Sequence, residues 1–287
     1  MFPLSYNTNG LVNLSLERAI EEVSKAGYEG IEISLHPNHL LPFDVCRERL
    51  DQLKDLFAKL GVKPVSLATG HIHLLGDVAF EPSLISPDEQ GRRKRIELMK
   101  AALDIANYLS IPCVNFVSGI RQEGVMEEEA AQMLQEGVRA CLKDAGQATL
   151  VIEPDPLIEP LPPMFIHTVS QAISVIKQVN SPQFKLNLEI AHLECVEGDV
   201  SKHAATALPY TRHIHIADIK GRVHHHEIPG EGDIDFRALF QVLKKGNYAH
   251  YLSVELYWHI DDWERALYQA REYLLEQMTA SEANNRT

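Results

Sequence analysis

Four ionisable side chains stand in similar apolar surroundings in the second half of the chain. They are Glu153 in VIEP, Glu189 in NLEI, His215 in IHI and Glu255 in VEL. A carboxylate in an apolar run is costly to bury unless it is paired, protonated or bound to a cation. A salt bridge or a hydrated strand end explains any one of them equally well, but four together favour a metal. Three oxygen donors and one imidazole suit one divalent ion (Mn²⁺, Mg²⁺, Co²⁺ or Zn²⁺) rather than copper or a thiolate-bound metal.

The segment HIHIADIKGRVHHHEIPGEGDID, residues 213–235, is the most histidine-rich part of the chain. His215 ends a predicted strand, and His213, two residues earlier on the same face, is predicted to pack one layer deeper. His224 and His226 fall in the following loop, where a solvated loop and a second metal site are both open explanations. Asp235 is predicted to cap the next helix.

The secondary-structure elements that would position these residues follow a repeating pattern, in which each predicted β-strand is followed by a helix. Helical stretches end at glycine, as at Gly27, Gly146 and Gly246. Eight consecutive units without an appended domain predict a single (β/α)8 TIM barrel with its metal site at the C-terminal face. An open doubly wound sheet is the alternative, but no GxGxxG follows the first strand. The predicted strands are PLSYNT, GIEISL, PVSLAT, CVNFVS, TLVIEP, FKLNLEI, HIHIADI and YLSVELY.

Composition limits the classes of protein to which the chain can belong. The 287 residues are 45% hydrophobic and contain no linker rich in Pro, Gly or Ser, so we predict one barrel over 1–278 and a flexible tail over 279–287. No run of about 18 apolar residues occurs and the first residues do not resemble a signal peptide, which predicts a cytoplasmic protein without a membrane span. The net charge of −13 disfavours nucleic acid as a partner.

The order of these side chains along the last four predicted strands resembles the xylose isomerase-like barrel superfamily. That superfamily includes ketose 3-epimerases, hydroxypyruvate isomerases, inosose dehydratases and the endonuclease IV family. The resemblance implies that Glu153, Glu189, His215 and Glu255 bind the metal and that Glu153 and Glu255 are also the catalytic acid/base pair. Position 189 departs from the family, which usually has Asp there, so the longer Glu189 must shift the metal, retract the strand or change the mode of ligation.

The resemblance also implies residues that contact the substrate. Glu159 and His192 occupy positions at which the epimerases place such groups. Lys220 and Arg222 lie five and seven residues after His215, next to the six-residue offset of a substrate-binding arginine in the epimerases. We add His71 and Trp258 as candidates because they follow the third and eighth predicted strands; structural or packing roles are the alternatives.

The implied activity is a divalent-metal-dependent isomerase or epimerase of a small sugar or related polyhydroxy carbonyl compound, working by proton abstraction through an enediolate. Manganese is one candidate metal, and relatives commonly form homodimers. A metal-dependent dehydratase of the inosose type is the nearest alternative. In an endonuclease IV-like nuclease, His224 and His226 would match additional metal ligands, but Val117 stands where the nucleases carry a His. A non-catalytic sugar-binding barrel is a further alternative because of Glu189.

Overall fold

Eight parallel strands form a closed barrel in the computed structural model, which describes residues 1–156 and 161–283. The last strand of the ring pairs with the first and so closes it. This confirms the predicted TIM barrel. The barrel strands are β1 Leu4–Asn7, β2 Gly30–Ser34, β3 Lys63–Ala68, β4 Cys113–Val117, β5 Thr149–Glu153, β6 Phe184–Glu189, β7 Thr211–Ile216 and β10 Leu252–Val254.

The α-helices pack around this barrel. Several begin with a side-chain cap: the Asp235 carboxylate accepts a hydrogen bond from the Ala238 N–H, as predicted, and Thr168 and Gln171 form a capping box. They are α1 Leu16–Lys25, α2 Arg47–Leu60, α3 Glu89–Leu109, α4 Glu127–Leu142, α5 Val169–Val179, α6 Ile190–Val196, α7 Val200–Ala207, α8 Phe236–Lys245 and α9 Trp263–Ala283.

Each strand has an apolar face toward the helices and a polar face toward the barrel interior. In β2, for example, Ile31 and Ile33 belong to the hydrophobic core, whereas Glu32 bonds to side chains of β7 and β10 across the interior. Because successive side chains point to opposite faces of a strand, the apolar neighbours of each polar residue enter the helix layer. This alternation places the predicted ligands inside the barrel.

The seventh strand is shorter than predicted. It ends at Ile216, and the rest of the segment forms an antiparallel hairpin of β8 Asp218–Lys220 and β9 Val223–Glu227. The Asp218 carboxylate holds the end of this loop by accepting hydrogen bonds from the N–H groups of Gly230 and Ile234. A Cβ atom at position 232 would lie 2.3 Å from Asp218 Oδ1, so glycine is required there by the close approach.

The last helix continues to Ala283 and therefore includes residues 279–283, which we predicted to be part of a flexible tail. Met278 is buried, and the Ser281 hydroxyl donates to the Met278 carbonyl. Residues 284–287 lie outside the described ranges, so the boundary between barrel and tail stays a prediction. Among the described residues, no helix combines the length and the apolarity needed to cross a membrane.

Candidate active site

The structure brings the four predicted metal ligands together at the C-terminal end of the barrel. His215 Nδ1 lies 3.4 Å from Glu153 Oε2, 3.5 Å from Glu189 Oε2 and 3.3 Å from Glu255 Oε2. One ligand atom from each residue lies within 4.8 Å of the others, and all four residues are buried. Strand register causes this meeting, since Glu189 of β6 pairs with His215 of β7 and Glu255 directly follows β10.

Asparagine amides orient two of the carboxylates. Each of these carboxylates accepts two amide hydrogen bonds on one oxygen, which restrains its rotation. These asparagines were not predicted from the sequence, although Asn187 lies two residues before Glu189 and therefore on the same face of β6. The donors are Asn115 at 2.6 Å and Asn187 at 2.9 Å to Glu153 Oε2, and Asn7 at 3.0 Å and Asn9 at 2.8 Å to Glu255 Oε1.

Glu32 anchors the histidine from the far side of the barrel. Its Oε2 accepts hydrogen bonds from His215 Nε2 at 2.8 Å, His213 Nε2 at 2.9 Å and Ser253 Oγ at 2.8 Å. With a proton fixed on Nε2, the Nδ1 atom of His215 can offer its lone pair to the site. His213 lies below His215, as predicted. Glu32 itself was missed, although in GIEISL it has the same apolar neighbours as the predicted ligands.

Glu189 has the features of a metal ligand despite its extra methylene group. Its Oε1 accepts a hydrogen bond from the Ala191 N–H at 2.8 Å and so caps α6, while the buried Oε2 has no hydrogen-bond partner. One oxygen of the longer side chain thus serves the helix and the other faces His215, and a changed mode of ligation stays a prediction. Burial, together with the nearby carboxylates of Glu255 and Glu153, raises the pKa of Glu189 well above its usual value.

The ionisable groups of the site favour a positive charge among the carboxylates. Burial alone would lower the pKa of His215, but the carboxylates of Glu255, Glu32 and Glu153 raise it well above the usual value. Burial likewise opposes ionisation of Glu153, but His215 lowers the pKa of that carboxyl to about 2. An imidazolium thus supplies the positive charge that three converging carboxylates require. A divalent ion fits the same donor set and would replace that proton.

A cavity of about 470 Å³ opens above these ligands, within the size range of small-molecule sites. Glu153, Glu255 and Asn115 contribute to its wall on the ligand side. Residues of the loops after the strands complete it, as expected for this face of a barrel. They include Val12, Leu35, His36, His71, Ile72, Phe80, Val117, Leu161, His192, His224, Tyr257, Trp258 and Ile260.

The predicted substrate-binding residues divide into two groups. His71, His192 and Trp258 line the cavity, and the Trp258 ring stacks on His225 with centroids 5.0 Å apart. Lys220 and Arg222 do not lie among the described lining residues. Both are exposed, and the Arg222 guanidinium donates to the carbonyl groups of Glu194, Cys195 and Val196 at the end of α6. Glu159 lies outside the described residues.

His224 and His226, the candidate ligands of a second metal, meet His192 in a cluster of three imidazoles. The Nδ1 atoms of His192 and His226 face the carbonyl oxygens of Pro154 and Glu255, each at 3.0 Å, so Nδ1 is the donor in both rings. Their Nε2 atoms then direct lone pairs toward each other across 3.3 Å. This arrangement is suited to a bound cation, and the second metal stays a prediction.

The sequence is similar to the sequences of several known proteins. A Danio rerio protein with the provisional name hydroxypyruvate isomerase is 30% identical over 105 residues, which are 34% of this chain and 37% of that protein. The chain thus matches well under two thirds of that relative. Fructoselysine 3-epimerase from Escherichia coli O157:H7 is 26% identical over 256 residues, covering 87% of this chain and 88% of that protein.

Solved structures and family sequences agree on the fold. The crystal structure of the IolI protein with a zinc atom superimposes with a TM-score of 0.79 at 20% identity and covers 98% of this chain and 99% of that one. The sequence model of the family described as xylose isomerase-like TIM barrel matches residues 20–277, which is most of the chain. The protein whose strands bring these three glutamates and one histidine together therefore belongs to the xylose isomerase-like TIM barrel family.

Proposed function

We propose that the protein is a divalent-metal-dependent isomerase or epimerase of a small sugar or related polyhydroxy carbonyl compound. The observation that carries the proposal is the convergence of Glu153, Glu189, His215 and Glu255 beside a cavity of suitable size. The name of the Escherichia coli relative, a 3-epimerase, and the zinc atom of the IolI structure support it.

The four side chains would hold the ion, and the buried Glu189 Oε2, which has no hydrogen-bond partner, is the clearest sign of its place. A divalent ion held there supplies Lewis-acid polarisation of a substrate carbonyl group and a neighbouring hydroxyl group. The donor set accommodates Mn²⁺, Mg²⁺, Co²⁺ or Zn²⁺, with manganese as one candidate.

Glu153 and Glu255 are the proposed proton-transfer residues. They stand at the ends of β5 and β10, and β6 and β7 lie between these strands in the ring, so the two carboxylates approach a bound substrate from different directions. One can remove the proton from the carbon next to the carbonyl group, and the other can return a proton to the opposite face. The asparagine amides hold both carboxylates in place for this transfer.

Loss of a β-hydroxyl group after the same proton removal would make the protein a dehydratase, so the identity of the product decides between isomerase and lyase. The nuclease alternative is weaker, because Val117 lines the cavity at the end of β4 and the net charge is −13.

Solvent-proton exchange tests the proposal. The chelator-treated protein would be reloaded with Mn²⁺, Mg²⁺, Co²⁺ or Zn²⁺ and incubated with ketoses and aldoses in D₂O. We expect deuterium to enter the carbon next to the carbonyl group of at least one compound, and NMR to identify an isomer. Glu255→Gln should abolish exchange, whereas Glu264→Gln, on the exposed surface of α9, should not. Absence of exchange with every metal and compound would refute the isomerase function and leave a binding protein.

A further inference from the structure

The cavity carries carboxylates but no side-chain cation among its described lining residues. Within 1–156 and 161–283, the ionisable groups of its wall are Glu153, Asp155, Glu255 and several histidines, and none is Lys or Arg. The neighbouring segment 157–160 reads LIEP and adds no basic residue. An anionic group at the end of a ligand remote from the metal would therefore meet none of the cationic side-chain donors that bind phosphate or carboxylate.

Two arginines, one in α3 and one in the β8–β9 hairpin, are engaged with the backbone. The buried Arg95 guanidinium donates to the carbonyl groups of Pro82 at 2.8 Å, Thr69 at 3.3 Å and Phe80 at 3.4 Å, and so holds the loop behind the cavity wall. Arg222 is bonded to the end of α6. Neither guanidinium is directed to a ligand in the cavity.

Two histidines occupy the side of the cavity that lies across the barrel from the metal ligands. His36 follows β2 and His71 follows β3, whereas Glu189 and His215 belong to β6 and β7 on the opposite side of the ring. The rings of His36 and His71 meet edge to face, with centroids 4.7 Å apart. Both line the cavity.

These histidines offer hydrogen bonds without charge. The Asn38 N–H donates to His36 Nδ1 at 3.1 Å, so in the neutral ring the proton is on Nε2 and can be donated to a ligand. Burial lowers the pKa of His36, and burial together with His36 and His73 lowers the pKa of His71 to about 4. Leu35, Ile72 and Phe80 beside them suit the C–H groups of a sugar.

We propose that the substrate is an electrically neutral polyhydroxy ketone or aldehyde, whose end remote from the metal ligands is held by His36 and His71 through its hydroxyl groups. This inference rests on the proposed isomerase or epimerase function. Sugar phosphates that carry their phosphate at the end remote from the metal fall outside the class, because no Lys or Arg is among the described residues that line the cavity.

Pairs of substrates that differ only by a phosphate group test whether the substrate is electrically neutral. The metal-loaded full chain would be given each ketopentose and ketohexose beside its terminal phosphate ester, and deuterium incorporation would be measured. We expect kcat/KM for the best neutral compound to exceed that of its ester by about tenfold or more. Equal or faster exchange of a phosphate ester would overturn the inference while supporting isomerase activity. Absence of exchange with all compounds is a different result and overturns the proposed function.

A binding measurement keeps the inference testable without turnover. Titration calorimetry would compare xylitol, an inert neutral polyol, with xylitol 5-phosphate on the metal-loaded protein. We expect the phosphate ester to bind about tenfold more weakly, because it brings charge to a wall without cations. Equal or tighter binding of the ester would overturn the inference.

Variants test the two histidines. We expect His36→Leu and His71→Leu each to raise KM about tenfold with little change in kcat, because they remove hydrogen bonds to substrate remote from the reacting carbon. His71→Gln, which keeps an N–H donor, should recover much of the loss. His73→Leu, an exposed position of the same loop that does not line the cavity, is the matched control. An unchanged KM in both leucine variants would overturn the role of the histidines.

Discussion

At the scale of single residues, the chemistry of the site depends on His215 presenting one particular nitrogen. The imidazole lies between Glu32 on its Nε2 side and three carboxylates on its Nδ1 side. A carboxylate that accepts the proton of a metal-binding imidazole fixes its tautomer and raises its basicity. Glu32 is therefore a positioning residue that acts on the metal through His215.

Replacement of Glu32 by Gln tests this role. The amide cannot accept from His213 and His215 with the strength of a carboxylate, so we expect the affinity for Mn²⁺ or Zn²⁺ to fall by about 10- to 100-fold. Competition with a fluorescent chelator measures the change. Glu48→Gln, on the exposed surface of α2, is the control. Unchanged metal affinity in Glu32→Gln would show that Glu32 packs in the barrel interior without positioning His215 for the metal.

The raised pKa values of His215 and Glu189 predict how metal binding depends on pH. A group with a raised pKa keeps its proton near neutrality, and the incoming metal must displace that proton. We therefore expect the affinity for the metal to increase as the pH rises through neutrality, and protons to be released on binding. Titration calorimetry in buffers of different ionisation enthalpy counts these protons, and an enthalpy independent of the buffer would contradict the prediction.

At the scale of elements, the β8–β9 hairpin lies over the site and connects it to α6. It carries His224 and His226 to His192 at the start of α6, and Arg222 to the other end of the same helix. The histidine-rich segment that stands out in the sequence thus has two roles in the fold. One part lines the cavity, and another part is hydrogen-bonded to the end of α6.

The imidazole cluster predicts the metal stoichiometry. If His192, His224 and His226 hold a second ion, the protein should bind two Zn²⁺ per chain at saturation, and His226→Gln should bind one. Elemental analysis after gel filtration measures this. His203→Gln, on α7, is the control. One equivalent in both wild type and His226→Gln would contradict the second site.

Arg222 provides a test at the same scale. Because its guanidinium satisfies three carbonyl groups at the exposed end of α6, we expect Arg222→Ala to lower the free energy of unfolding by about 1 kcal/mol and leave KM unchanged. Urea denaturation and steady-state kinetics measure the two effects, with Lys220→Ala as the control. A higher KM at unchanged stability would instead support the substrate contact predicted from the sequence.

At the scale of the whole molecule, closure of the barrel brings the repelling carboxylates of four strands into one buried space. A ligand that binds only the folded state stabilises it by about 2.7 kcal/mol at a hundredfold excess over Kd. For a chain of this size we expect EDTA to lower Tm by roughly 5 °C. Thermal unfolding of wild type and His215→Ala, with and without EDTA, tests this, and an equal EDTA effect in both would exclude the proposed site as its source.

Much of the architecture could be predicted from local patterns. The period-two alternation in segments such as GIEISL and LSVELY marks strands with a polar face, and glycines and Asp235 mark helix ends. The end of β7 could not be predicted in this way, because Asp218–Lys220 continues the strand-like pattern and leaves the barrel only by pairing with β9. The asparagines around Glu153 and Glu255 were also missed, since each acts from a part of the chain other than the strand of the glutamate that it contacts.

The sequence by itself determined that eight strand and helix units follow one another and that Glu153, Glu189, His215 and Glu255 stand at strand ends. In a parallel barrel all such ends meet at one face, so their meeting follows from their order. Only the tertiary structure decided that Glu32 reaches His215 across the barrel, that Arg222 turns to α6 and that the described cavity wall contains no side-chain cation. These features depend on the closure of the ring and on the directions of side chains from distant parts of the chain, which local patterns do not specify.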